Sequence, residues 1–499
     1  MDQRLLQISR TRKVWKNATR NVRVAPIRYF KPETPEDIRL IIQDAESKNF
    51  TVRAVGSGHS FSEVAKTNDY LVEMFKLNRI EKVDEQVIKE KFRHNGVRPR
   101  YFVKVEGGIT IKDLNKKLDK MGLALQNMGA VNYQTVSGAL STATHGSGIA
   151  MPAFPDMVRS IILVASGGEY LQIEPADGIT DPARFSSPQG VKLVQDDDMF
   201  YSLLVSFGAM GIIYAITFEV VPEFLIKEER VMTTWDELKE EILNRNFINE
   251  KVRKYDYVSF RINPFEVDGR HLCAIVYQQI LPGKPKLSLN AHFKNLKSTI
   301  FGNLPFVSWF LIRYLNLNPK YIPRAIDGFL KGTKDKLFIG KSHRTLFQSG
   351  SNIRRHGLSS EFAFPVDPYK IVHTIDLIIQ QAKKNAEIGN IYQSSHVPVR
   401  FVQASKAYLS TAYNRETAYI DIPLLQKTIG DYEILDRYQD LIVKEDGIPH
   451  WGKINNKLYG RYELLEKFYP KLNVWKAVRQ KLDPKKTFVN EFLEKTNLC

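Results

Sequence analysis

The chain has 499 residues, with 72 Lys and Arg against 55 Asp and Glu, giving a formal charge of +17. That length suggests two to four folding units, and the presence of only Cys273 and Cys499 argues against a disulfide framework and fits a reducing, cytoplasmic setting. There is no Cys/His metal spacing, no apolar N-terminal segment ahead of a small-residue cleavage site and no run of eighteen uncharged apolar residues, so neither a bound metal, a secretory signal nor a membrane span is expected.

In chain order, residues 35–46 carry apolar side chains at helical spacing after an acidic start, and residues 50–56 read as a strand. The strand runs into Gly56-Ser57-Gly58-His59-Ser60. Residues 103–108 form a second strand, leading into an amphipathic helix over 110–122 that a glycine closes. A second loop, TVSGALSTATHGSG, fills 135–148. Two glycine- and hydroxyl-rich loops can wrap a pyrophosphate with backbone N–H groups, because glycine permits close approach and Ser and Thr add donors. The candidates are Gly56, Ser57, Gly58 and Ser60 in the first loop, and Thr135, Gly138, Ser141, Thr142, Thr144, His145 and Gly146 in the second. Their spacing fits neither the Rossmann dinucleotide fingerprint nor the Lys-containing phosphate loop.

Residues 161–173 read as a hairpin turning at Gly167-Gly168, and the polar stretch 175–195 as an insertion. The charge excess is concentrated between Lys284 and Arg355, where fourteen Lys or Arg face only Asp327 and Asp335, a local balance of +12. No nucleic-acid motif accompanies it. Because it shares its segment with Phe306, Trp309, Phe310 and Leu311, it suggests contact with an anionic membrane surface. A helix packed in a core beside a solvated basic face reads equally well.

Four segments together resemble a known family. AVGSGHSFS at 54–62, the second loop, VSFGAMGII at 205–213 and PHWGK at 449–453 come in the order found in the sugar-lactone oxidases. That group of gulonolactone, arabinonolactone and alditol oxidases belongs to the vanillyl-alcohol-oxidase superfamily of FAD enzymes. The resemblance is strong over 15–222 and 395–499 and thin over 225–360. It implies an α+β fold with an FAD-binding (PCMH-type) domain at 1–222, an antiparallel-sheet substrate domain at 223–440 and a C-terminal segment, 441–499, that returns to the first domain. It implies a covalent bond from His59 to the flavin 8α-methyl carbon, and it places Gly107 and Ile213 beside the flavin, glycine at 107 going with oxidases rather than dehydrogenases.

For a hydroxylated carbon to give up a hydride its hydroxyl must also lose a proton, and the negative charge growing on that oxygen requires a fixed cation in a dry site. The resemblance assigns Lys453 of the PHWGK segment to that task, with Arg400 in HVPVRFV as the second cation. In the family a glutamate stands two residues before this arginine; here it is Pro398, which can neither take a proton nor accept a hydrogen bond from a substrate hydroxyl. Glu361 in SEFAFP replaces that carboxylate if it faces the flavin, or points to solvent as strand residues between aromatics often do. His396 and His343 are further proton acceptors by residue type alone. The expected function is oxidation of a sugar lactone, polyol or related alcohol by hydride transfer to flavin N5, with dioxygen or another acceptor reoxidising the FAD. Pro398 and the basic apolar stretch favour an alternative, a flavin enzyme acting on a lipid or sterol. From another class comes an inert flavoprotein that serves as a binding module.

Overall fold

The structure is a computed structural model that describes residues 2–95, 98–186, 190–282, 305–332, 337–347 and 356–499, with the side chains of 95, 98–99 and 305–308 outside that description. It is a two-domain α+β architecture assembled around three main sheets.

The first domain begins with a four-stranded sheet in the order Ser9–Arg10, Arg28–Phe30, Tyr70–Glu73, Val52–Val55, its last three strands parallel. Helix Pro35–Ser47 covers it. Thr34 caps the helix through a reciprocal hydrogen-bond pair with Asp37, and the helix buries Ile38, Ile41, Ile42 and Ala45 against Phe30, Val52 and Val72. A second, seven-stranded sheet is built around the long strand Ile212–Pro222, which pairs antiparallel with Tyr101–Glu106 on one side and Val158–Val164 on the other. The hairpin at 161–173 turns where expected, with Gly167 and Gly168 at φ of 74° and 80°, a region that disfavours side chains. The stretch read as an insertion is partly integral: Lys192–Gln195 adds a parallel edge strand beside Tyr170–Glu174, and the buried Glu174 accepts a hydrogen bond from the Thr180 amide. Its polar composition concealed a strand whose side chains serve to anchor the loop.

After Pro222 the chain enters an eight-stranded sheet, antiparallel throughout. Its order is Phe338–Lys341, Leu225–Thr234, Leu272–Leu281, Tyr257–Ile262, Val397–Val402, Thr417–Leu425, Gly357–Pro365, Ile448–Pro449. Helices Trp235–Asn244, Pro368–Gly389 and Asp431–Lys444 pack together on one face, the first two linked by Trp235 Nε1 donating to Asp376 at 2.8 Å. The other face is turned toward the first domain, as the bridge between Gly148 and Val402 and the bond from the Tyr257 hydroxyl to the Gln126 carbonyl at 2.7 Å show. The final helices return to the first domain. Trp475 is wholly buried and donates to the Val205 carbonyl, and the Val52 amide donates to Thr487 O at 2.7 Å.

The cysteines are unpaired, Cys273 being buried. Among the described residues no helix is long and apolar enough to cross a membrane. Helix Pro305–Leu317 packs one face inward through Ile312 and Leu315 and leaves the other open: Trp309 is 53%, Phe310 61% and Leu317 71% exposed. Phe306 and much of the basic stretch, 283–304, 333–336 and 348–355, lie outside the described residues.

Candidate active site

Two cavities meet at the first glycine loop. One is lined by the strand-to-loop segment Arg53 to Ser60, by Thr135, Gly138, Ser141 and Thr142 of the second loop, and by Phe207, Gly208, Gly211 and Ile213. The other, of about 510 Å³, lies between this loop and the eight-stranded sheet. His59, Ser60, Gln134 and Thr142 line both, so they stand at the junction. Of the candidates, Thr144 and His145 line only the second cavity, and Gly107 and Gly146 line neither. A Cβ on Gly107 would sit 2.5 Å from the Ile213 carbonyl and one on Gly146 2.2 Å from Asn127 Oδ1, so packing alone explains both glycines.

The first cavity can be tested for fit to FAD. Gly56 faces the second loop so closely that a Cβ there would lie 1.9 Å from Thr135 Oγ1, and Gly58 adopts a φ of 65°. Backbone, the hydroxyls of Ser57, Ser60, Thr135, Ser141 and Thr142, and apolar walls from Trp15, Val22 and Met74 make the lining. Arg53, wholly buried at its edge, donates to the carbonyls of Gly208 and Phe488 at 3.0 and 2.7 Å and also to those of Val64 and Phe207. A cradle of backbone and hydroxyl donors is what a pyrophosphate needs, so these residues fit the group, and Arg53, its terminal nitrogens given to four backbone carbonyls, braces the cradle. Arg53 was not a candidate; a charged residue inside a short apolar strand was its only signal.

In the second cavity the functional groups come from rows across the sheet. Cross-strand pairing puts Arg261 opposite Pro398 and Asp421 opposite Glu361, and the pairing of Val399 with Ile420 continues to set Pro398 beside Asp421. The row Arg261, Pro398, Asp421, Glu361 therefore lies on one face, and all four line the cavity. The rows on either side contribute Arg400 beside Tyr419, and Ser359 beside Pro423. The segment ending at Lys453 runs along strand Gly357–Pro365, with His450 N donating to Glu361 O and Ile454 N to Ser359 O, each at 2.9 Å. Phe61 N in turn donates to Gly452 O at 2.9 Å, which ties the first loop to this segment.

Lys453 Nζ lies 3.3 Å from each Asp421 oxygen, 3.2 Å from Ser359 Oγ and 3.5 Å from Glu361 Oε2. Burial opposes its charge, but Asp421 and Glu361 outweigh burial and hold its pKa above the ordinary value. Burial likewise works against the Glu361 carboxylate, yet Lys453 and His145 keep it well below the usual range. Asp421 goes the other way, raised by burial and by Glu361 against the pull of Lys453. Glu361 thus faces the cavity rather than solvent, its side chain only 4% exposed and its Oε1 3.4 Å from His145 Nε2. No carboxylate lies in ion-pair range of Arg400 among the described residues. His396 is stacked on Phe329 and held well below its ordinary pKa by burial, Arg261 and Arg400. His343 does not line the cavity.

His145, Glu361 and His450 offer ligand atoms within 4.8 Å of one another. His450, pushed down to about 3 chiefly by burial, accepts from Gly452 N at Nδ1 and has Nε2 3.4 Å from Ala143 O, while Lys453 already neutralises Glu361. The cluster reads as an internally paired acid–base group rather than a metal centre. Asp421 was absent from the sequence candidates; alternation in YIDIP shows it on a strand face, but only the sheet register reveals what it faces.

Residues 26–174 match the family described as FAD binding domain, and residues 216–496 match the family described as D-arabinono-1,4-lactone oxidase. The chain is 26% identical over 490 residues to L-gulonolactone oxidase of Bos taurus, covering 96% of this chain and 97% of that one. It is 25% identical over 488 residues to L-gulono-1,4-lactone dehydrogenase of Mycobacterium tuberculosis, covering 96% and 98%. D-Arabinono-1,4-lactone oxidase of Yarrowia lipolytica is 30% identical over 46% of this chain and 38% of its own. Among solved structures, cholesterol oxidase from B. sterolicum superposes with a TM-score of 0.75 over 98% of both chains at 15% identity, a likeness of fold.

Proposed function

The chain belongs to the D-arabinono-1,4-lactone oxidase family, and on that premise we propose that it oxidises a hydroxylated carbon of a sugar lactone, with the reacting end of the substrate held in the second cavity by Lys453 and Arg400. It is an FAD-dependent oxidoreductase of the aldonolactone-oxidase type. The observation that carries the reading is the junction: His59 and Thr142 line the cofactor cradle and also the cavity into which Lys453, Arg400 and Glu361 project.

FAD, when bound, supplies the two-electron acceptor. The chain supplies position and field. Gly56, Ser57, Gly58, Ser60, Thr135, Gly138, Ser141 and Thr142 would hold the cofactor, and His59 would carry its covalent tether. Lys453 donates to the substrate oxygen as charge grows there, a role for which its two flanking carboxylates keep it protonated. Arg400, with no carboxylate in ion-pair range among the described residues, adds a second positive charge at the same wall. A hydride donor carbon must be held roughly 3–3.5 Å from its acceptor, and these cations fix the oxygen attached to it. Dioxygen or another acceptor would serve as the final electron acceptor. Acid-precipitated protein should stay yellow, with the flavin mass on the peptide containing His59. Release of all flavin on denaturation would refute the tether while leaving binding intact.

A second reading is favoured by the outer wall of the cavity, where Leu311, Leu315, Ile322, Ile326 and Phe329 come from helices whose outer surface carries Trp309, Phe310, Arg313, Lys320, Arg324 and Lys331. On this reading the protein lies on an acidic lipid surface and admits an apolar alcohol. Lys and Arg near such a surface each contribute about 1 kcal/mol, so sedimentation with acidic vesicles that salt abolishes supports it. Equal recovery in the supernatant with acidic and neutral vesicles at low salt would dismiss it.

A further inference from the structure

The Pro398 position leaves the sheet without a carboxylate where the resemblance expects one, yet the cavity does not lack one. Pro398 has two cross-strand neighbours in its row, Arg261 on one side and Asp421 on the other. In antiparallel strands, directly opposed residues point to the same face with Cβ atoms roughly 4.5–5.5 Å apart. A carboxylate moved from 398 to 421 therefore stays on the same wall, displaced by one strand. We propose that Asp421 is the substrate-binding carboxylate of this site and accepts a hydrogen bond from the hydroxyl next to the one held by Lys453. This rests on reading the cavity as the lactone site.

Three observations favour Asp421 over Glu361 for the task. Glu361 is enclosed: its side chain is 4% exposed and its two oxygens face His145 and Lys453. Asp421 is 13% exposed and lines the cavity, while its known partners, Ser359 Oγ and Lys453 Nζ, come from one side. Two carboxylate oxygens offer about four acceptor sites, so room remains for a substrate hydroxyl. The proline beside it has no polar side-chain atom to compete for that hydroxyl. Arg261 continues the row on the far side of Pro398 and Arg400 shares Pro398's strand, so both arginines lie on one flank of Asp421 and Lys453 on the other.

The test uses the FAD-loaded protein and L-gulono-1,4-lactone as the probe, with its singly deoxygenated analogues. Dissociation constants and limiting flavin-bleaching rates are taken separately from anaerobic stopped-flow titrations of wild type, Asp421→Asn, Asp421→Ala and the double variant Asp421→Ala/Pro398→Glu. Loss of a hydrogen bond to a charged acceptor should weaken the lactone roughly tenfold to a hundredfold in both single variants. One deoxy analogue, lacking the contacted hydroxyl, should bind wild type and variants alike. The double variant, with the carboxylate back on the neighbouring strand, should recover most of the affinity; a purely structural role for Asp421 would not give that rescue. Should the double variant fail to fold, the analogue comparison in Asp421→Asn decides, because Lys453 there keeps Glu361 as its partner. Unchanged lactone affinity and unchanged analogue discrimination in both single variants overturn the assignment while the lactone reading stands. A wild-type protein that binds no lactone overturns the reading beneath it and this assignment together.

Discussion

Replacing Lys453 with methionine removes the one cation that touches both buried carboxylates, with four contacts between 3.2 and 3.5 Å to Ser359, Asp421 and Glu361. Two effects separate. In the reaction, loss of one preorganised donor to a growing oxyanion costs roughly 2.7–4 kcal/mol, or about 10²–10³ in rate. In the fold, breaking a buried pair costs about 3–5 kcal/mol if the orphaned charge persists. Wild-type Glu361 has a folded pKa below its ordinary 4.5, so it contributes stability that is present above that value and lost as pH falls through the lower folded pKa. Without Lys453, burial and the neighbouring Asp421 raise Glu361 instead. A raised carboxylate contributes stability at low pH that is lost as pH rises. The destabilisation of Lys453→Met relative to wild type should therefore already include the lost Glu361 contribution at pH 5 and grow further toward pH 8, while anaerobic flavin reduction by lactone falls by two to three orders of magnitude. Thermal unfolding across that range and stopped-flow reduction measure the two. Parallel stability profiles together with an unchanged reduction rate would refute the reasoning.

Gly56→Val should leave the fold recoverable but abolish stoichiometric flavin, since even a Cβ would lie 1.9 Å from Thr135 Oγ1; full FAD occupancy by absorbance ratio would contradict this. Arg53→Leu deprives four backbone carbonyls of a charged donor that ties Val64, the 207–208 turn and Phe488 together. It should cost at least about 3 kcal/mol, a melting shift of roughly 3 °C for a chain this large, and a shift under about 1 °C would show the contacts to be incidental. Arg400→Met should slow flavin reduction by about 10²-fold and raise the pKa of His396, which Arg400 helps to depress; an NMR titration of His396 that does not move argues against their proximity.

The glycine loops, the helix at Pro35–Ser47 and the hairpin at Gly167-Gly168 were legible because local chemistry dictates them: an apolar stripe behind an acidic start, a positive φ, a hydroxyl-rich turn. The PHWGK segment was legible through resemblance, and the sheet does bring Lys453, Arg400 and Glu361 to one cavity. What the sequence hid is pairing. Asp421 lies 23 positions from Pro398, and nothing in either segment says that the two stand side by side; the register of strands Val397–Val402 and Thr417–Leu425 does. Lys192–Gln195 was hidden for a related reason, since an edge strand with mixed burial carries too few apolar residues to stand out from a polar loop. Helix Pro305–Leu317 shows the opposite failure: its apolar run fits a core helix as well as an exposed one, and only the neighbours decide between them.

The central claim, that this chain oxidises a sugar lactone with bound FAD, is tested most directly by mixing the FAD-loaded protein anaerobically with L-gulono-1,4-lactone and D-arabinono-1,4-lactone and following the oxidised flavin band. Bleaching with one or both, saturating in lactone and followed by return of the band when an electron acceptor is admitted, is the predicted result. A fully loaded, folded protein whose flavin stays oxidised with every lactone offered would contradict it.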